Sequence, residues 1–175
     1  MINMPKRILS VLVENHAGVL SRVAGLFSRR GFNIESLAVG ITEDPDVSRM
    51  TIMVDGDDYL VEQVSKQLNK LIDIIKVRQL DEKESIIREL VLLKVTATAE
   101  TRSEIIQIVD IFRGNIIDVS KNSLTIEITG DDNKINAFVE MVRCFGIKEM
   151  VRTGSVSIER GNKIIRANNN EEDIS

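Results

Sequence analysis

Apolar residues recur along this chain with two spacings, every second residue and roughly every 3.6 residues, and the two alternate in a fixed order. Ile8 to Val13 is a short apolar run rich in β-branched residues and predicts a buried strand. Glu14, Asn15, His16, Ala17 and Gly18 follow as a turn. Leu20, Val23, Ala24 and Phe27 then fall at i, i+3, i+4 and i+7, the spacing of an amphipathic helix, and Gly31 stops it. In the next strand Leu37, Val39 and Ile41 share one face, and Glu43 to Asp46, with Pro45, form a turn. Met50, Ile52 and Val54 alternate with Arg49, Thr51 and Met53, so this segment is the second strand of a hairpin. Val61, Val64, Leu68 and Leu71 make a second helical stripe, and Ile74 to Leu80 closes as a strand. The order is βαββαβ.

A charged connector, Asp81 to Ser85, leads into the same order again. Leu90 to Ala97 reads as a strand, and Ile105, Ile108, Val109 and Phe112 as a helix face ended by Gly114. Ile116 to Val119 and Leu124 to Ile128 form a hairpin, and the strict alternation of its second strand predicts one wet face. Ile135, Phe138, Val139 and Val142 give the last helix, and Ile147 to Ile158 the closing strand, interrupted by Gly154. The predicted fold class is α+β, two consecutive ferredoxin-like units with helices on one face of each antiparallel sheet. The expected domains are 1–81 and 82–161, with 162–175, which lacks any periodicity, as a disordered tail. In the first unit, Leu9, Val11 and Val13, or Leu37 and Val39, suggest that the sheet's second face is apolar too, which favours oligomerisation.

Composition narrows the chemistry. The 175 residues include 23 Lys+Arg and 27 Asp+Glu, a net charge of −4. One Cys and one His exclude an intramolecular disulfide, a multi-cysteine zinc site and any site built on two histidines. Cys144 lies in a helical stripe and reads as a core residue. No apolar run reaches the roughly 18–20 residues of a membrane helix, and the start does not read as a secretory signal, so a cytoplasmic protein is expected. Five Phe, one Tyr and no Trp offer few platforms for stacking bases, and nucleic acid is not an expected partner. Asp55, Asp57 and Asp58 fit either a weak cation site or a loop with a helix-capping Asp, and the cap is the simpler reading. No catalytic or metal-binding set emerges.

The informative segment is Asn15 to Leu20, which joins a strand to a helix. First-turn N–H groups have no intrahelical partner, and the helix dipole adds positive potential there. Gly18 permits close approach of a ligand, Asn15 both donates and accepts, and Asn33 opens the next strand near the same place. An α-amino acid needs this mixture of donors, acceptors and apolar wall. The same residues are also explained by a cap at Asn15 and a turn at Gly18, and by themselves they leave both readings open.

Three stretches, Arg7 to Asn15, Gly18 to Val39 and Ser48 to Ile52, closely resemble the small, regulatory subunit of bacterial acetolactate synthase (acetohydroxyacid synthase). The resemblance continues through Lys66 to Ile72 and Ile111 to Val119 and ends near Ser157 to Gly161; its most specific part is Asn15 to Val39. It implies that the first unit is an ACT domain, a sensor of amino acids. It implies a non-catalytic chain that activates a large catalytic subunit and confers feedback inhibition by valine, with leucine and isoleucine left open. Thiamine diphosphate, Mg2+ and FAD are then expected on the large subunit and no cofactor on this chain. The resemblance further implies a homodimer through ACT domains. Effector contacts would come from Asn15, His16, Ala17, Gly18, Val19 and Leu20, with Asn33 and Ile34 supplied by the partner subunit. His16 and Ala17 stand where family members vary, so their part would run through backbone N–H groups. The alternative from the residues is a free-standing amino-acid sensor acting on transcription or on another biosynthetic enzyme.

Overall fold

The computed structural model describes residues 6–167. Its packing divides the described residues into two units, one of 6–86 together with 155–167, the other Ile87–Gly154. The first unit runs β1 (Lys6–Glu14), α1 (Val19–Arg30), β2 (Ile34–Ile41), β3 (Val47–Asp55), α2 (Asp58–Leu68) and β4 (Ile74–Leu80). Its sheet order is β2-β3-β1-β4, and each neighbouring pair is antiparallel. β1 and β3 run flush, from Lys6↔Asp55 to Glu14↔Val47. Because residues on a strand alternate faces, that register puts Leu9, Val11, Met50, Ile52 and Val54 on the face that meets the helices. Val19, Val23, Leu26 and Phe27 of α1 and Val61, Val64 and Leu68 of α2 complete this core.

The buried stripe of α1 is rotated by one position from the predicted one. Val19 is 3% exposed and Leu20 46%. Apolar residues at 19, 20, 23, 24, 26 and 27 form a broad arc, and periodicity alone does not say where its centre points. Gly31, at φ 68, ends the helix as expected, with its N–H donating to the carbonyls of the last turn.

The second face of this sheet is largely apolar, as expected, but is made by other residues than expected. Leu9, Val11 and Val13 belong to the helix side, and the other face carries Ile8, Ser10, Leu12, Thr51 and Met53, all buried. The chain's own residues 155–167 lie across it. Arg49 donates to the Ser157 carbonyl at 2.9 Å, Arg78 reaches Glu159 at 2.7 Å and the Ile164 carbonyl at 3.2 Å, and the Ser155 N–H donates to Ser36 Oγ at 3.0 Å. Face burial therefore gives no argument for oligomerisation. Residues 155–161 pack with the first unit rather than the second, and 162–167 have a defined place there; the rest of the expected tail, 168–175, lies outside the described residues. By packing, residues 82–86 also group with the first unit.

The second unit is built from most of β5 (Ser85–Thr96), then α3 (Arg102–Ile111), β6 (Asn115–Ser120), β7 (Ser123–Gly130), α4 (Asp132–Val142) and β8 (Ile147–Arg152). Its strand path is β6-β7-β5-β8. The predicted wet face of β7 is present, with Leu124, Ile126 and Ile128 buried and the residues between them not. The predicted strand from Ile147 to Ile158 is split, and its second half, β9 (Val156–Glu159), belongs to the first unit. Cys144 is exposed, not core: a 3-10 turn at Arg143–Phe145 ends α4 and swings residue 144 off the helix's apolar stripe. Among the described residues no helix is long and apolar enough to cross a membrane.

Candidate functional site

The β1–α1 loop is built by backbone and side chain together. The Asn15 N–H donates to the Asp46 carbonyl at 2.8 Å, and its side-chain amide donates to the Pro45 carbonyl at 2.8 Å. Asn15 Oδ1 accepts from Ser48 Oγ at 3.0 Å. Asn15 therefore ties this loop to the β2–β3 turn instead of capping α1. Two side-chain hydrogen bonds, each contributing about 1 kcal/mol, are lost in Asn15→Ala, which leaves the buried Ser48 hydroxyl without that acceptor. A loss of about 1–2 kcal/mol in urea denaturation is expected. A shift in midpoint too small to resolve would show that the loop does not need this tie.

Gly18 stands at the N-terminus of α1 with φ 91 and ψ −14, a left-handed conformation open to glycine at little strain. No side chain caps the helix, and its first turn holds no acidic residue. α2 differs: Asp57 caps it by accepting from the Leu60 N–H at 2.9 Å, so the aspartate cluster supplies a cap, and Asp58 pairs with Arg7 at 2.9 Å. In α1 the first i→i−4 bond is Arg22 N–H to the Gly18 carbonyl, at 3.0 Å. The N–H groups of Val19, Leu20 and Ser21 precede it and point out of the helix end, where the dipole favours an anion. The His16 N–H is already used by the Glu14 carbonyl at 3.1 Å. Val19 contributes only its backbone, because its side chain is in the core, whereas Leu20 offers apolar surface beside the loop.

The loop also carries an ion-pair network that the sequence did not reveal. Asp73, on the segment before β4, accepts from Arg22 Nε at 2.5 Å and Nη2 at 2.8 Å, and His16 Nε2 lies 3.1 Å from its Oδ1. His16 Nε2 is also 3.1 Å from Glu14 Oε2, and Nδ1 is 3.1 Å from the Ala17 carbonyl. The Asp73 side chain is 5% exposed, against 46% for Arg22 and 47% for His16. Glu14, His16 and Asp73 come close enough together to face a common cation, but the Arg22 guanidinium already fills that role, so the set is an ion-pair network. The only local signal was the lone His between Glu14 and Arg22. Nothing near residue 73 points to a partner 51 positions earlier.

The Ala17 carbonyl above all, then Glu14 and Asp73, raise the His16 pKa despite partial desolvation. Arg22 first, with help from His16, holds the Asp73 carboxyl below the usual range. The signs set a window. What His16 adds to stability is complete below its unfolded pKa of about 6.5 and is lost as pH rises through its raised folded value. What Asp73 adds is complete above about 3.9 and is lost as pH falls through its lowered one. The network is fully held between roughly pH 4 and 6.5.

Asn33 and Ile34 do not join this loop within one chain. Ile34 pairs with Val54 at one end of β3, whereas Glu14 pairs with Val47 at the other. Seven residues of strand separate the two ends, about 23 Å at roughly 3.3 Å per residue. The expectation that Asn33 lies near the loop in its own chain is thus overturned. Elsewhere in the first unit, a cleft of 390 Å³ is lined by Leu12, Ile41, Glu43, Arg49 and Arg166, among others.

Comparison with known proteins accounts for nearly the full length. Residues 9–76 match the model "AHAS small subunit-like ACT domain", and residues 88–161 match "Small subunit of acetolactate synthase". A probable acetolactate synthase small subunit of Archaeoglobus fulgidus is 59% identical over 158 residues, which is 90% of this chain and 99% of that protein. The acetolactate synthase small subunit of Mycobacterium bovis is 56% identical, covering 87% of this chain and 91% of its own. The crystal structure of the acetolactate synthase small subunit from Thermotoga maritima superposes with a TM-score of 0.86 at 44% identity, covering 91% of this chain and 100% of that one. With two ferredoxin-like units in this order, and matches of this length to both, the chain belongs to the family of acetolactate synthase small subunits, and its first unit is an ACT domain.

Proposed function

We propose that this chain is the regulatory partner of a large acetolactate synthase subunit, raising its activity and making it sensitive to valine. The condensation of two pyruvates, or of pyruvate with 2-oxobutyrate, belongs to the large subunit, which would hold thiamine diphosphate, Mg2+ and FAD. This chain's residues bind the effector and transmit its presence. The observation that carries the reading is the uncapped start of α1 in an ACT domain of this family, with Gly18 left-handed and first-turn N–H groups aimed outward.

In this reading two ACT domains meet and one valine lies at their seam. Its carboxylate accepts from first-turn N–H groups, those of Val19 and Leu20 among them. Its ammonium is met by Asn33 and backbone carbonyls of the partner chain, which the distance between Asn33 and the loop within one chain favours. Ile34 and Leu20 wall the side chain. Asn15 orients the loop, since both ends of its amide are engaged within the chain. The exposed Val39 and Ile41 lie on β2, a sheet edge suited to such pairing. Pocket size discriminates valine from leucine by only about 1–3 kcal/mol per methylene, so cross-reaction with leucine is expected.

Regulation requires that the bound dimer contact the large subunit differently from the free one, and a coupling of about 1–3 kcal/mol suffices. Reconstitution tests this directly. Adding this chain to its large subunit should raise acetolactate formation, and valine should lower the rate only in the mixture. A mixture that neither co-purifies nor responds to valine overturns the proposal and favours a free-standing sensor.

A further inference from the structure

We propose that Asp73 is the positioning residue of this effector loop, acting through Arg22 and His16, and that it makes effector binding depend on protonation of His16. The inference rests on the reading of the β1–α1 loop as the effector site and concerns how that site is held and regulated.

Asp73 grips the loop at both ends. Its carbonyl accepts from the Glu14 N–H at 2.9 Å, where β1 ends, and its carboxylate holds Arg22 in the first turns of α1. The anchor is buried while the two groups it holds reach the surface, an arrangement that fixes cationic heads in a wet site. Asp73 takes Nε and Nη2 of Arg22, which leaves Nη1 for the loop side. A Cβ built on Gly18 would lie 3.4 Å from that Nη1. The unused edge of the guanidinium therefore stands beside the helix end where the effector carboxylate is read to bind.

His16 adds the proton dependence, and the geometry shows it. Among the described residues, the groups in contact with the ring nitrogens are acceptors: the Ala17 carbonyl at Nδ1, and Glu14 of β1 and Asp73 before β4 at Nε2, with the Arg22 guanidinium held by the same Asp73 carboxylate. A neutral imidazole donates from one nitrogen only, so these contacts are all satisfied by the imidazolium alone. Losing the proton leaves a lone pair facing either the carbonyl or two carboxylates, and the ring must give up one side. The local charge changes with it. Glu14 and Asp73 contribute −2 and Arg22 +1, so the cluster is −1 with His16 neutral and 0 with His16 charged. An incoming carboxylate is repelled less in the charged state, and effector binding should weaken as pH rises.

Calorimetric titration of valine into the full chain tests this, from about pH 5.5 to about pH 8.5, a range that spans the His16 transition and leaves valine zwitterionic. The valine dissociation constant should rise about fivefold or more across the range. His16→Gln should remove most of that dependence. Asp73→Asn should weaken binding at every pH and lower the His16 pKa read by NMR, and Asp73→Glu should restore part of both. A merely structural aspartate would leave the pH profile in place. If Asp73→Asn fails to fold by circular dichroism, half-exposed His16→Gln carries the test. Affinity that ignores pH, or Asp73→Asn binding like the parent, overturns the inference but spares the site. Parent protein that binds no branched-chain amino acid at any pH removes the site and the inference together.

Discussion

Gly18→Asp is expected to raise the valine dissociation constant about tenfold or more and to abolish valine inhibition in the reconstituted enzyme. Three effects act in the same direction. Residue 18 sits at φ 91, and any residue with a Cβ placed there is strained by about 1–2 kcal/mol. The new side chain would begin 3.4 Å from Arg22 Nη1 and compete with Asp73 for the guanidinium. Its carboxylate would also stand near the effector's own. Two such charges about 5 Å apart repel by about 3 kcal/mol at an effective dielectric of about 20, and by under 1 kcal/mol in bulk water. A net loss of about 1.4 kcal/mol is already tenfold in affinity. The readout is the ratio of acetolactate formation with and without valine, so a changed basal rate cancels. Gly18→Ala carries the strain without the charge and should lose less. Unchanged valine affinity in Gly18→Asp would remove the site from this loop.

Phe27→Ala should be the most damaging single truncation in the first unit, at about 3–5 kcal/mol. Phe27 is 1% exposed and meets Phe32 edge-on, with centroids 6.2 Å apart and ring planes at 77°. It lies in the cluster that joins Leu9 and Val11 of β1 to Val23 and Leu26 of α1, so truncation opens a cavity where sheet and helix meet. A domain's stability of about 5–15 kcal/mol leaves little reserve against such a loss. Scanning calorimetry should show the first unit's transition lowered by on the order of 10–20 °C. Tyr59→Ala, at a side chain on α2 that is 69% exposed, should move it little. A shift under about 3 °C in Phe27→Ala would mean that this core relaxes around the loss.

Element order was legible because strands and helices bury apolar side chains at different spacings, and both rhythms are local. Alternation at Met50, Ile52 and Val54 and the stripe Val61, Val64 and Leu68 both describe the structure. The phase of α1 was less legible, since Leu20 and Val19 are equally apolar and only contact with β1 separates them. The role of residues 155–167 was hidden for a similar reason: a short strand after Gly154 looks the same whichever unit it packs with. At the site, the bend at Gly18 could be read locally, because φ preference is decided within a few residues.

Distance along the chain marks where reading by position fails. Asn15 looked like a cap for the helix beside it, but its partners are Pro45 and Ser48, across a hairpin. No local pattern singles out Asp73, yet folding buries it against Arg22 and His16. Helix, strand and turn follow from each residue's own backbone preferences and its near neighbours, so the amino-acid order was enough to specify two βαββαβ units and a glycine bend able to face an anion. Which charges meet at that bend, and how far Asn33 stands from it, depend on strand register and chain return, and these are set by burial summed over residues far apart in sequence.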